Sequence, residues 1–121
     1  MTYLFETEEH AALRAQVRRF AATEIAPYAD AWEEREEFPL ELYKKAAEAG
    51  VLGVGYPESV GGGGGTLEHT VVAAEEMILA GRSVGTTVGL GSHGIALPPI
   101  LRAGTEAQQR RFIPPVLRGE K

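Results

Sequence analysis

Residues 83–104, SVGTTVGLGSHGIALPPILRAG, carry glycine at 85, 89, 91 and 94 within a pattern that otherwise reads as one helix. Each glycine inside a helix costs about 1 kcal/mol relative to alanine, so the four give up about 4 kcal/mol of local propensity. A helix that forms in spite of that loss presents a nearly bare backbone, which another backbone, a cofactor or a thin ligand can approach closely. On a helical wheel Gly85, Gly89, Ser92 and Ala96 form a row of small residues suited to close packing. Thr87, Gly91, Ile95 and Pro98 form a second row, an open position beside an apolar wall that suits an alkyl chain, and these four are the candidate substrate-binding residues. Leu90, Leu97 and Leu101 with Gly94 form an ordinary core row. Tight helix packing alone would account for the same glycines, so both readings stand at this point.

The chain has 121 residues, enough for one domain that buries about two-thirds of its unfolded surface around a single core. Hydrophobic residues make up 44% and charged residues 24%, a globular balance. A formal net charge of -5 argues against nucleic acid, whose phosphates call for a basic stripe. With no cysteine, thiol chemistry, disulfides and Cys-based zinc sites are excluded, and the composition suits a reducing cytoplasm. No apolar run approaches the roughly 18 residues of a membrane span. Glu6, Glu8 and Glu9 near the start argue against an acid-poor transit peptide, so the expectation is a cytoplasmic protein with no membrane partner.

Thr7 stands as an N-cap before Glu8 and Glu9, whose charge suits the positive end of a helix, and Leu13, Val17 and Phe20 recur at helical spacing. Pro27 should interrupt that helix before a second turn-forming stretch with Tyr28 and Trp32. Residues 33–37, EEREE, read as a solvated charge run. Phe38-Pro39 opens a second helix, with Leu42, Ala46 and Ala49 on one face and Gly50 as its cap. Five glycines at 61–65 read as a flexible loop, because fixing them costs backbone entropy. Thr66 caps a third helix, closed by Gly81, in which Leu67, Val71, Ala74 and Ile78 form the cleanest amphipathic row of the chain. After the glycine-bearing fourth helix, Thr105 to Gln108 matches a capping box opening a fifth through Phe112, which Pro114-Pro115 should stop. Nothing alternates with period two. The expected fold class is all-α, an up-and-down bundle of about five helices forming one domain over residues 1–121.

Gly89-Leu90-Gly91-Ser92-His93-Gly94 fits the G-x-G-x-x-G dinucleotide fingerprint, yet no hydrophobic strand precedes it and no acidic residue stands about 20 positions on. The run at 61–65 lacks the Lys-Ser or Lys-Thr of a phosphate loop. His10, His69 and His93 have no second ligand at metal spacing, so no metal site is expected. His10 and His69 suit surface or capping roles, and His93 a satisfied polar group. Glu75 and Glu76, adjacent on a helix, diverge by about 100 degrees and do not converge on one substrate atom.

Arg18-Arg19-Phe20 running into Glu24-Ile25-Ala26-Pro27, Phe38-Pro39 before Leu42, and Ala49-Gly50-Val51-Leu52-Gly53 leading to Tyr56-Pro57-Glu58 make an ordered series. Gly61-Gly62, Glu75-Glu76, residues 103–108, Phe112-Ile113-Pro114-Pro115 and Arg118-Gly119-Glu120 continue it. In this order nearly the whole chain resembles the N-terminal helical domain of the acyl-CoA dehydrogenase family. The resemblance implies a three-part enzyme in which this domain is followed by a β-domain and a four-helix bundle, with FAD mainly between the last two. It implies α,β-dehydrogenation of an acyl-CoA thioester: a glutamate base removes the α-proton and the β-hydrogen leaves as hydride to the flavin.

In that family the fourth helix forms one wall of the acyl pocket, at positions matching Thr87, Gly91 and Ile95. The flavin-binding residues and the catalytic glutamate should lie beyond Lys121, so no catalytic or cofactor-binding residue is expected among residues 1–121, and the chain alone should be inactive. A homo-oligomer is implied as well. Glycine at 91 leaves room for a longer or branched acyl group. The alternatives are a stand-alone helical interaction module without catalysis, or the same domain in an acyl-CoA oxidase or flavin monooxygenase.

Overall fold

The computed structural model describes residues 2–121. They form an all-α bundle of α1 (Glu8–Glu24), α2 (Ala29–Arg35), α3 (Glu41–Glu48), α4 (Leu67–Gly81), α5 (Val84–Leu90), α6 (His93–Ala103) and α7 (Glu106–Leu117). The five expected helices are all present, two of them divided. The first is cut at Pro27, which sits in a 3-10 turn, Ala26–Tyr28, between α1 and α2. The fourth is cut at Gly91-Ser92.

That second division corrects the reading of residues 83–104 as one helix. The Gly91 amide still closes the last turn of α5 on the Thr87 carbonyl, but the amides of Ser92, Gly94 and Ile95 reach only three residues back. Tightening to three-residue hydrogen bonding ends the α5 axis and starts another. The wheel rows that ran through Gly91 and Ser92 are therefore not straight lines on one cylinder.

Three helices start on reciprocal capping boxes, each with threonine at the N-cap: Thr7 with His10, Thr66 with His69, and Thr105 with Gln108. Gly50 follows α3 at φ +77, the left-handed conformation expected of a helix-ending glycine. α3 itself begins at Glu41, two residues after Pro39, the intervening turn being closed by Leu42 N–H on the Pro39 carbonyl.

α1 lies along α4 in the most extensive helix contact of the fold. Val17 and Ala21 of α1 and Ile25 just after it meet Ala73 and Met77 of α4, with Leu42 and Ala46 of α3 and Trp32 of α2 closing the main core. Gly81 lets the helices approach, since a Cβ there would stand 3.2 Å from Ile25 Cγ2. The buried face of α4 is not the expected one. Leu67 and Val71 are 76% and 43% exposed, whereas Val72, Ala73, Met77 and the carboxylate Glu76 are buried. The helix is apolar on more than one side, and the face that turns inward is the one whose Glu76 meets arginines of α1.

A second core joins Leu97 of α6, Ile113 and Leu117 of α7, Tyr56 and Val60. It explains why Pro114-Pro115 does not stop α7. The prolines forfeit two amide donors, but the turn that follows carries the buried Leu117, and the Pro114 carbonyl still accepts from Arg118 N–H at 3.0 Å. α6 likewise contains Pro98 and Pro99.

The glycine run is pinned rather than loose, a further correction. Gly62 N–H donates to Pro57 O, Gly63 N–H to Gly53 O and Gly64 N–H to Tyr56 O, while Gly64 O accepts from Gly55 N–H. Gly61, Gly64 and Gly65 take positive φ, and Gly62 packs directly on the Tyr56 backbone, so the glycines serve shape.

Candidate functional site: an apolar groove at the helix break

Where α5 gives way to α6, a groove of about 230 Å³ opens between that junction, α4 and the segment 51–56. Its lining is mostly apolar: Val51, Leu52, Val54, Ala73, Ala74, Met77 and Leu90. Thr70, Tyr56 and His93 add polar atoms, and no charged side chain faces it. Burial pushes the Tyr56 phenol above its ordinary range, so it stays a neutral donor.

Of the four residues picked out by the sequence, the groove brings together two. Thr87 and Gly91 line it. The Thr87 hydroxyl donates to Ser83 O at 2.9 Å, so its hydrogen is committed to the helix. At Gly91 a Cβ would meet only the Thr87 and Val88 carbonyls, at 3.3 and 3.8 Å, and at Gly94 it would meet nothing within 4 Å. The two glycines thus leave the mouth open. Ile95 is 81% exposed and Pro98 half-buried, and neither lines the groove; Ile95 lies with Val84 and Val88 among the exposed apolar residues of α5 and α6. The break at Gly91-Ser92 is what separates the two pairs.

His93 holds the junction in place. Its Nδ1 lies 3.0 Å from Leu90 O and its Nε2 3.0 Å from Leu52 O, so the ring straps the α5–α6 break to the segment after α3. The Tyr56 ring lies beside it at 5.8 Å between centroids. The sequence marked His93 as a satisfied polar group; both nitrogens lie within hydrogen-bond distance of a carbonyl oxygen, and the neutral ring donates to one of the two. Tyr56, Leu52 and Met77 were not anticipated as lining, because they come from segments distant in sequence with no local signal linking them.

Glu75 and Glu76 are held in a network of ion pairs. Arg14 Nη1 donates to Glu75 Oε1 at 3.0 Å and Glu76 Oε1 at 3.2 Å, while its Nε donates to Glu6 Oε1 at 2.5 Å. Arg18 adds a second cation on Glu76 at 2.9 Å, and the Tyr3 hydroxyl donates to Glu75. Glu75 and Glu76 therefore do converge, both on Nη1 of one guanidinium that reaches between them. Arg18 first and Arg14 second hold the Glu76 carboxyl below the usual carboxylate range, so it is a charged anchor and not a proton acceptor. Among the described residues no cluster of three or more His, Cys, Asp or Glu could hold a metal ion, and no helix is long and apolar enough to cross a membrane. The G-x-G-x-x-G stretch spans the end of α5 and the start of α6, with no strand before it, so it is not a dinucleotide turn.

Residues 7–120 match the family model of the acyl-CoA dehydrogenase N-terminal domain. The chain belongs to the acyl-CoA dehydrogenase family. It is 34% identical over 114 residues to an acyl-CoA dehydrogenase of Bacillus subtilis, covering 94% of this chain and 30% of the relative. With the long-chain specific mitochondrial acyl-CoA dehydrogenase of the rat it shares 36% identity over 115 residues, covering 94% of this chain and 26% of that one. The crystal structure of acyl-CoA dehydrogenase from Geobacillus kaustophilus superposes with a TM-score of 0.85 at 33% identity, over 98% of this chain and 31% of that one. The chain thus spans about 30% of the length of the acyl-CoA dehydrogenases it matches, and what it contributes is their all-α N-terminal domain.

Proposed function

We propose that this domain forms one wall of the acyl pocket of an FAD-dependent acyl-CoA dehydrogenase that converts an acyl-CoA thioester to its α,β-unsaturated form. The observation that carries the reading is the uncharged, apolar groove beside Thr87 and Gly91, opened by the absence of a side chain at 91, in a chain of this family. An alkyl chain gains about 0.8 kcal/mol for each methylene it buries, and a wall of Val, Leu, Ala and Met supplies that burial without competing polar groups. Ile95 and Pro98, on the outer side of the break, would meet the acyl group only where another part of the enzyme closes over them.

FAD would supply the hydride acceptor, but the groove here does not fit it. A dinucleotide needs cations or a cluster of backbone amides for its pyrophosphate, and no charged side chain lines this groove. The flavin and the proton-abstracting carboxylate belong to other parts of the proposed enzyme, which we further take to be a homo-oligomer acting in the cytoplasm.

Substituting leucine for Gly91 in the full-length enzyme tests the reading. The added side chain fills the mouth, so turnover of long acyl-CoAs is expected to fall at least about tenfold more than that of short ones. Equal loss at every chain length would overturn it. The exposed apolar residues Val84, Val88 and Ile95 suit a surface covered by further protein, as in an enzyme of several domains or an interaction module. The open groove favours the enzyme.

A further inference from the structure

The capping boxes of α1 and α4 have an uncommon composition: the residue three places into each helix is histidine, and the two rings face each other. His10 Nδ1 accepts from Thr7 N–H at 3.0 Å, and His69 Nδ1 accepts from Thr66 N–H at 2.9 Å. Their ring centroids are 4.3 Å apart at a tilt of 34°. Both caps require a bare Nδ1, so both rings must carry their single hydrogen on Nε2. His69 Nε2 donates it to Glu9 Oε1 at 3.2 Å, whereas His10 Nε2 is buried with no partner among the described residues.

Protonation is incompatible with this arrangement on three counts. A hydrogen on Nδ1 would point at the amide hydrogen it now accepts. Two cations would stand face to face at stacking distance. Each would also sit in the first turn of a helix, where the dipole favours anions. The surroundings offer charged rings other partners: Glu9 on α1, Glu68 on α4, whose carboxyl is held below its usual range chiefly by the Thr66 hydroxyl that donates to it, and Glu6 on the arm before α1. Arg14 is the nearby cation and is already held by Glu6, Glu75 and Glu76. Phe5 packs edge-on against His10, and Gly65 lies under His69, where a Cβ would be 2.9 Å from its Cγ.

We propose that His10 and His69 form a pH-operated clasp between the starts of α1 and α4. Neutral, the two rings cap both helices and seat the glycine loop; protonated, they release both caps and turn to the surrounding carboxylates. The change exchanges one set of partners for another, so it is local and leaves the α1–α4 core in place.

The third capping box supplies the control. Gln108 performs the same acceptor role at the start of α7 and does not titrate, so His10→Gln with His69→Gln keeps both caps and removes the switch. Hydrogen exchange of the chain, corrected for intrinsic rates, is compared at about pH 7.5 and about pH 5. In the wild type, the Thr7 and Thr66 amides that donate to the rings, with the first turns of α1 and α4 behind them, are expected to lose about five- to tenfold in protection, the worth of an N-cap. The first turn of α7 is expected to hold, and the double variant to show no loss at any of the three. Equal losses in wild type and variant, or an equal loss at α7, would overturn the clasp. Nitrogen-15 spectra of the wild-type rings give an independent reading: Nε2–H tautomers in both at neutral pH support it, and Nδ1–H in either refutes it.

Discussion

Gly62 lies so close beneath the Tyr56 carbonyl that a Cβ at position 62 would stand 2.1 Å from its oxygen. Nothing flexible is available to move, because the obstacle is backbone. Gly62→Ala is therefore expected to destabilise the chain by about 3 kcal/mol, measured by urea denaturation. Gly64 is the comparison: φ is +76 but a Cβ there meets nothing within 4 Å, so Gly64→Ala should cost only the left-handed backbone penalty, about 1 kcal/mol. Equal costs at the two positions would contradict the geometry.

Glu76 is buried between two arginines of α1. Removing its charge leaves Arg14, itself buried, with one carboxylate fewer, and Glu76→Gln is expected to cost about 3 kcal/mol. Arg18, with a side chain 61% exposed, is the weaker partner, and Arg18→Ala should cost under about 1 kcal/mol.

The same carboxyl sets an acid limit. Arg18 and Arg14 lower it in the folded chain, as Arg14 lowers Glu6, so both contribute stability that is complete above the ordinary carboxylate range and is lost as pH falls through their folded values. Stability should therefore decline below about pH 4. Glu76→Gln should flatten that decline, and an unchanged acid slope in urea melts would show that the network does not govern it.

Val84, Val88 and Ile95 are 59%, 64% and 81% exposed. An apolar surface of this kind promotes association, so the chain should elute from size exclusion as larger species at higher concentration. Val88→Glu with Ile95→Glu should restore a monomer without lowering the melting temperature. A monomer at every concentration in the wild type would show that the surface is not adhesive.

In the proposed enzyme this domain supplies pocket wall only. The 121-residue chain mixed with FAD and an acyl-CoA is expected to leave the flavin absorbance unchanged under anaerobic conditions. Bleaching would place catalytic residues within the chain.

Much of the fold was legible because caps are local. Thr7, Thr66 and Thr105 each announce a helix through hydrogen bonds to residues three positions away, and Gly50 announces an end through its own backbone. What was misread depends on distant partners. α4 offers two apolar rows, and only arginines some 60 residues earlier decide which turns inward. Pro114-Pro115 looks like a stop until Leu117 is seen buried on the far side of it. At the groove, Thr87 and Gly91 stand one turn apart, a spacing the local pattern gives, whereas Ile95 lies beyond a bend that no local pattern marks. Tyr56 and Leu52 reach the groove by chain topology, which no local pattern records.

The carboxylate of Glu76 has a consequence for how α4 is seated. Rolling the helix about its long axis by one residue would present an equally greasy stripe to α1, so hydrophobicity alone permits more than one orientation. Only one of them gives the acid its two guanidinium partners; any other takes it away from them. A single anion thus acts as a rotational key, and the face of α4 that reaches the groove through Ala73, Ala74 and Met77 is set by it.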